Sequence, residues 1–338
     1  MIAEARGPLP HIPKAELHCH IEGALPPDLV RALAARNGIR LPESLFDIQG
    51  GFRWHDFKSF LDAYDLASSC LKRPEDYRDL ARRYLLGLSG EGAVYAEFFA
   101  SPDHAAAVGL SYGEMIAGLA EGIKEAEAKS GIVARIIVVC VRHLGPERAE
   151  AIANQMATAP HPLVAGFGMA GDETRYRCAD FQRAYRIAAA AGLACTAHAG
   201  EAAGPESVWD AIEHLPVTRL GHGVRAVEDK ALLFKLIERR IALEVCPGSN
   251  LALGFYPDAA AHPLGRLVAA GCRVTLNSDD PPFFHTSLGA EYARAQRDFG
   301  LDDAALRRIT DTALDAAFVD PGTRQRLKRR AADFSLPV

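Results

Sequence analysis

The chain has 338 residues, 49% apolar and 24% charged, enough for a large core and ordinary for a soluble globular protein. A formal charge of -5 gives no electrostatic reason to expect nucleic acid as a partner. Seven cysteines without regular spacing argue against a disulfide framework, no apolar run reaches the ~18 residues of a membrane span, and Met1 to Pro10 lacks the pattern of a secretory signal, so a cytoplasmic protein away from membranes is expected.

Eight short apolar or mixed segments are predicted as strands: Ala15 to Cys19, Ala93 to Phe99, Ala134 to Cys140, Leu163 to Met169, Leu193 to Ala197, Thr218 to Gly221, Ile241 to Cys246 and Arg273 to Asn277. Several are apolar on both faces, as in Arg135-Ile136-Ile137-Val138-Val139, which is how parallel strands covered by helices read. Between them, Ser111 to Glu114 has capping-box spacing before an amphipathic run that stops at Gly131. Asp180 is expected to cap a helix from Phe181 to Ala191 that Gly192 ends, and Pro263 to lie in the first turn of a helix ending near Gly271. Strand and helix alternating eight times predicts one (β/α)8 barrel of the TIM type over 1–338 rather than two domains. The long link after the first strand is a helical insertion at about 24–92. Within it Asp56 to Tyr64 reads as a helix whose apolar face either packs on the barrel or forms a lid or pocket wall that keeps water from the chemistry. Ser287 to Asp298, Asp302 to Phe318 and Gly322 to Ala332 supply closing helices.

The stretch His18-Cys19-His20-Ile21-Glu22-Gly23 puts two imidazoles two residues apart, facing the same way at a strand repeat of two. Alone, in a chain of 12 histidines, the pair fits an inconsequential surface feature as well as it fits metal ligation. Position changes the balance. The fifth strand runs into His198-Ala199-Gly200-Glu201, the sixth into Gly221-His222-Gly223 and the eighth into Asn277-Ser278-Asp279-Asp280. Strands one, five, six and eight thus all end in ionisable residues at the end of a barrel where active sites lie. His18, His20, His198 and Asp279 could together hold one divalent ion, zinc by ligand type, with iron, cobalt and manganese not excluded. Such an ion brings the pKa of a water toward neutrality, which implies hydrolysis. Glu201 is then the candidate for moving protons, His222 for polarising the attacking water and Asp280 for accepting a hydrogen bond from substrate. A zincin His-Glu-x-x-His helix is missing, as is the cytidine-deaminase pattern of His-x-Glu followed by Pro-Cys-x-x-Cys. Gly166-Phe167-Gly168-Met169-Ala170-Gly171 lacks dinucleotide-binding spacing and reads as close backbone approach to a ligand, with a simple tight turn as the other reading.

As an ordered set, His18-x-His20-x-Glu22-Gly23, Gly171-Asp172-Glu173, His198-Ala199-Gly200-Glu201, His222-Gly223 and Ser278-Asp279-Asp280 resemble the adenosine/adenine deaminase family of metal-dependent hydrolases, from about Lys14 to the last helices. The resemblance implies one zinc on His18, His20, His198 and Asp279, with Asp279 also beside the reacting atoms. It implies Glu201 as the acid toward purine N1, His222 orienting the nucleophile toward C6, Asp280 accepting from N7 and the Gly171 N–H addressing N3. His20 and Glu22 would border the substrate, a small purine nucleoside or base, and the oligomeric state stays open. On the substrate the motifs divide. Glu22 is one methylene longer than the aspartate by which adenosine enzymes meet the ribose, and it matches many adenine enzymes. Gly171-Asp172-Glu173 and Leu220-Gly221-His222 instead resemble the nucleoside enzymes. The expectation leans to adenosine and deoxyadenosine, yielding inosine and ammonia from adenosine. Deamination of adenine to hypoxanthine, or of a modified adenine or other 6-aminopurine, is the alternative, and a non-catalytic purine-binding barrel the remote one.

Overall fold

The computed structural model describes residues 8–334, so most of the stretch from Met1 to Pro10 lies outside the described residues. Eight parallel strands appear in the predicted order: β1 (Lys14–Glu16), β2 (Ala93–Ala100), β3 (Val133–Val141), β4 (Val164–Ala170), β5 (Ala194–Ala199), β6 (Arg219–His222), β7 (Ala242–Val245) and β8 (Arg273–Leu276). Each pairs with the next, and helices fill the connections, giving the expected (β/α)8 barrel. In β3, Ile136 to Val139 show why: β-branched side chains favour the pleated backbone, and all four are buried.

The first strand is shorter than the predicted Ala15 to Cys19. Regular pairing stops at Glu16, and the chain beyond it bridges two neighbours, Cys19 to Asp279 and His20 to Phe99. The Asp279 N–H donates to the His18 carbonyl at 3.1 Å and the His20 N–H donates to the Asp279 carbonyl at 3.0 Å, so the barrel closes past the ends of its regular strands.

The insertion contains helices Pro27–Asn37, Phe57–Ser68 and Pro74–Gly90. Phe57–Ser68 starts where Asp56 and Ser59 form a reciprocal capping box, and it buries Phe60, Ala63, Tyr64 and Ala67. Helix Tyr112–Ser130 opens on the expected Ser111–Glu114 box and stops at Gly131, whose φ of 72° suits glycine. Two capping expectations are corrected. Asp180 lies inside a 3-10 turn, Cys178–Phe181, and accepts from the Arg177 N–H at 2.8 Å, so it caps that turn instead of the helix Gln182–Ala190. Pro263 precedes the short helix Leu264–Ala269 instead of lying in its first turn. The reading of Gly166 and Gly168 as ligand contacts is also corrected, because a Cβ at either would meet core neighbours, Phe318 at the first and Val139 at the second. No helix among the described residues is long and apolar enough to cross a membrane.

Candidate active site

The ends of β1, β5, β6 and β8 bring their ionisable residues together. One donor atom each from His18, His198, His222 and Asp279 lies within 4.8 Å of the other three. Asp279 Oδ1 is 3.5 Å from His18 Nε2 and 3.4 Å from His20 Nε2, so all four expected ligands converge, with His222 as a fifth member. Such crowding requires glycine at 221, where a Cβ would lie 2.8 Å from His18 Cε1 and 3.0 Å from His198 Nδ1. Glycine is required at 23 as well, since a Cβ there would collide with the Asp280 carboxylate. His222 and Asp279 both hold left-handed backbone, φ 58° and 62°, a conformation few side chains adopt outside sites that impose it.

Hydrogen bonds on the outer ring nitrogens decide what the inner ones can do. His18 Nδ1 donates to Glu244 at 2.8 Å and His198 Nδ1 donates to the Met169 carbonyl at 2.8 Å, which leaves the Nε2 lone pair of each for the cluster. The His18 Nε2 atom is buried with no hydrogen-bond partner. The Asn250 amide donates to His222 Nδ1 at 3.2 Å while His262 donates to the Asn250 oxygen at 3.2 Å, so the inner Nε2 of His222 carries a proton. By this pattern His222 is a proton-bearing neighbour of the ligand set and not one of its lone-pair donors.

Burial holds His20 down at about 4, His222 at about 3 and His198 well below the ordinary imidazole value, all neutral as ligands or bases must be. Burial disfavours charge on His18 too, but the nearby Asp279 carboxylate and the hydrogen-bonded Glu244 carboxylate outweigh it and raise this ring to about 10. The carboxylates thus create a demand for positive charge at His18 Nε2. Three nitrogens and a carboxylate oxygen around such a point fit a divalent ion.

Glu201 is buried, and desolvation together with the Asp279 and Glu173 charges raises its carboxyl well above the ordinary value. It lies 3.4 Å from His222 Nε2. Asp280, buried beside Asp279, is raised by desolvation and by the Asp279, Glu201 and Glu22 charges. A cavity of about 500 Å³ opens onto the cluster, lined by His20, Gly171, Glu201, His222, Asp279 and Asp280. Its outer wall is the helix Phe57–Ser68, through Phe57, Phe60, Leu61 and Tyr64, so the apolar face of this helix serves as a pocket wall. Glu22 is 1% exposed and is not among the lining residues; its Oε1 accepts from the Ser101 N–H at 2.9 Å.

Two supporting residues were given no role by the sequence, although Glu173 lies in the Gly171-Asp172-Glu173 motif. Glu173 accepts from the N–H groups of Gly200, Glu201, Ala202 and Ala203 and from the Ser207 hydroxyl, and so fixes the loop that carries Glu201. Glu244 joins His18 to the barrel interior; its only sequence signal is a carboxylate in the otherwise apolar β7. Glu244→Gln is expected to weaken divalent-ion binding about 10–100-fold, because it removes the charge behind a ligand histidine. Competition against a chromogenic chelator measures this, and unchanged affinity would remove Glu244 from the metal's support.

The chain matches the adenosine deaminase family model over residues 13–333. It belongs to the adenosine/adenine deaminase family of metal-dependent hydrolases, and it is a metal-dependent aminohydrolase. It is 51% identical over 323 residues to an adenine deaminase from Agrobacterium fabrum, covering 96% of this chain and 99% of that one. Among solved structures, an adenine deaminase from Arthrobacter aurescens is similar with a TM-score of 0.90 and 30% identity, covering 95% of this chain and 98% of that one. An amidohydrolase from Burkholderia ambifaria, solved with bound zinc, is similar with a TM-score of 0.86 and 30% identity, covering 95% and 90%.

Proposed function

We propose that the chain deaminates adenine to hypoxanthine and ammonia, with zinc as its metal and the cytoplasm as its compartment. What carries the substrate assignment is its likeness to adenine deaminases that share half its residues over almost the full length. The expectation that favours adenosine rests on Gly171-Asp172-Glu173 and Leu220-Gly221-His222, and the geometry explains why these are poor guides. Glu173 anchors the 200–203 loop and Leu220 is wholly buried in the core, so neither side chain borders the cavity. The rim also speaks against a nucleotide. Among the lining residues Asp62, Asp65 and Asp103 face a single lysine, Lys58, which Asp62 already pairs at 2.7 Å. Seven unpaired cysteines suit a reducing compartment.

His18, His20, His198 and Asp279 would hold the zinc, which when bound supplies a Lewis acid and brings a water to a pKa near neutrality. Glu201, whose carboxyl burial and the neighbouring Asp279 and Glu173 charges raise, gives its proton to ring N1, which spares the ring the negative charge that addition at C6 creates. His222 bonds to the attacking water and fixes its direction. Asp280 engages N7 and the Gly171 N–H engages N3, so that C6 faces the cluster. Water adds at C6 as one of its protons returns to the Glu201 carboxylate; the remaining hydroxyl proton passes to the amine, C6 becomes a carbonyl, and ammonia leaves.

A substrate panel of adenine, adenosine, deoxyadenosine, N6-methyladenine and AMP, followed by loss of purine absorbance, tests this reading. Adenine is expected to have the highest kcat/KM and AMP to be inert; faster turnover of adenosine than of adenine would overturn the assignment.

A further inference from the structure

A cavity of about 500 Å³ is larger than a purine base needs, so preference for the bare base cannot rest on volume. It has to come from the chemistry of the walls. Directly after β2, the short helix Pro102–Ala107 puts His104 in the lining, beside Ser101 and opposite Tyr64 and Asp65 of the wall helix. None of these side chains has a part in the chemistry described above. His104 Nε2 is held by Asp65 Oδ1 at 3.1 Å, Tyr64 packs edge-on to the imidazole with centroids 5.4 Å apart, and His104 Nδ1 is buried without a partner. Ser101 connects this group to Glu22: its hydroxyl accepts from the His104 N–H at 3.5 Å, and its own N–H donates to Glu22 Oε1 at 2.9 Å.

The wall beside His20 is therefore polar, but much of its hydrogen-bonding capacity is turned inward. Asp65 is engaged by His104, and Glu22 is engaged by the Ser101 backbone. A hydroxylated substituent carried on the base into this region would give up its water and meet carboxylates already engaged, with the one partnerless Nδ1 of His104 as acceptor for the several hydroxyls of a sugar, and an unmet hydroxyl discriminates more strongly than a missing apolar contact. We propose that the Asp65–His104 pair is a specificity determinant: by tying the wall helix to the turn after β2 and engaging one carboxylate oxygen there, it selects the bare purine base against sugar-bearing purines. His104 acts through Asp65, as a positioning residue and not as a catalytic one. The inference rests on the adenine reading above.

The test compares kcat/KM for adenosine with that for adenine in the metal-loaded wild type and in His104→Ala, Asp65→Ala and His104→Gln. The adenosine-to-adenine ratio is expected to rise at least about tenfold in the two alanine variants. It should stay near the wild-type value in His104→Gln, whose amide reaches the same position as Nε2 and keeps the bond to Asp65. An unchanged ratio, or equal losses on both substrates, would assign the pair a structural role only and overturn the proposal. If His104→Ala does not fold, Asp65→Ala decides, because that carboxylate is 68% exposed and its loss leaves the core intact. A wild type that prefers adenosine sinks the adenine assignment, while the change of ratio in the variants still judges the pair.

Discussion

Glu201→Gln is expected to lower kcat/KM for adenine by about 10²–10⁴-fold while leaving the bound metal at wild-type stoichiometry. Glutamine keeps the shape and neutrality of the protonated carboxyl but has no proton to transfer. It should also keep its place, since the loop is fixed through backbone N–H groups by Glu173 and not through the side chain at 201. The pH dependence follows from the direction of the shift. Burial and the neighbouring Asp279 and Glu173 charges raise the carboxyl, so it stays protonated at pH values where an ordinary glutamate is ionised. The wild-type rate then falls as pH rises through that raised value, and this alkaline limb should vanish from the residual activity of the variant. Unchanged turnover, or a variant that loses its metal, would remove Glu201 from its role as acid.

Arg219→Met should give the largest loss of stability. Arg219 is fully buried in the barrel interior, 2.6 Å from Glu97, 2.6 Å from Glu244 and 3.6 Å from the centre of the Phe318 ring. Methionine matches much of its volume but strands two buried carboxylates, a change that costs about 3–5 kcal/mol when one partner of a buried ion pair is removed. A fall in Tm of about 4–7 °C is expected in a thermal melt of the metal-loaded protein. A melt within about 2 °C of wild type would mean that water or proton uptake compensates the carboxylates.

The barrel and the cluster were legible for one reason: the residues expected to do the chemistry end strands. Buried parallel strands write themselves as apolar runs, and a histidine or aspartate directly after such a run stands out, as His198, His222 and Asp279 do. Residues that act from within an element stand out much less. Glu244 and Arg219 sit inside strands and Asn250 inside a short helix, and what makes them matter is a partner far along the chain. The motifs that lean toward adenosine carry little information on the substrate for a related reason. Similarity in Gly171-Asp172-Glu173 reports how a loop is anchored, and only Gly171 of the three borders the cavity. Local capping signals held where the cap and its helix are contiguous, as at Ser111, and failed at Asp180, where a 3-10 turn intervenes before the helix.

The seam between Cys19 and Asp279 has a consequence for how the molecule comes into being. The backbone groups that close the barrel belong to His18, His20 and Asp279, so the last join in the wall and the assembly of the proposed ligand set are one event. The two sides of that join come from opposite ends of the chain, and contacts of such long sequence separation form late because the intervening chain must be ordered first. A nascent or partly folded chain therefore has scattered histidines but no completed ligand set, and hydrolytic competence arrives only with the finished topology.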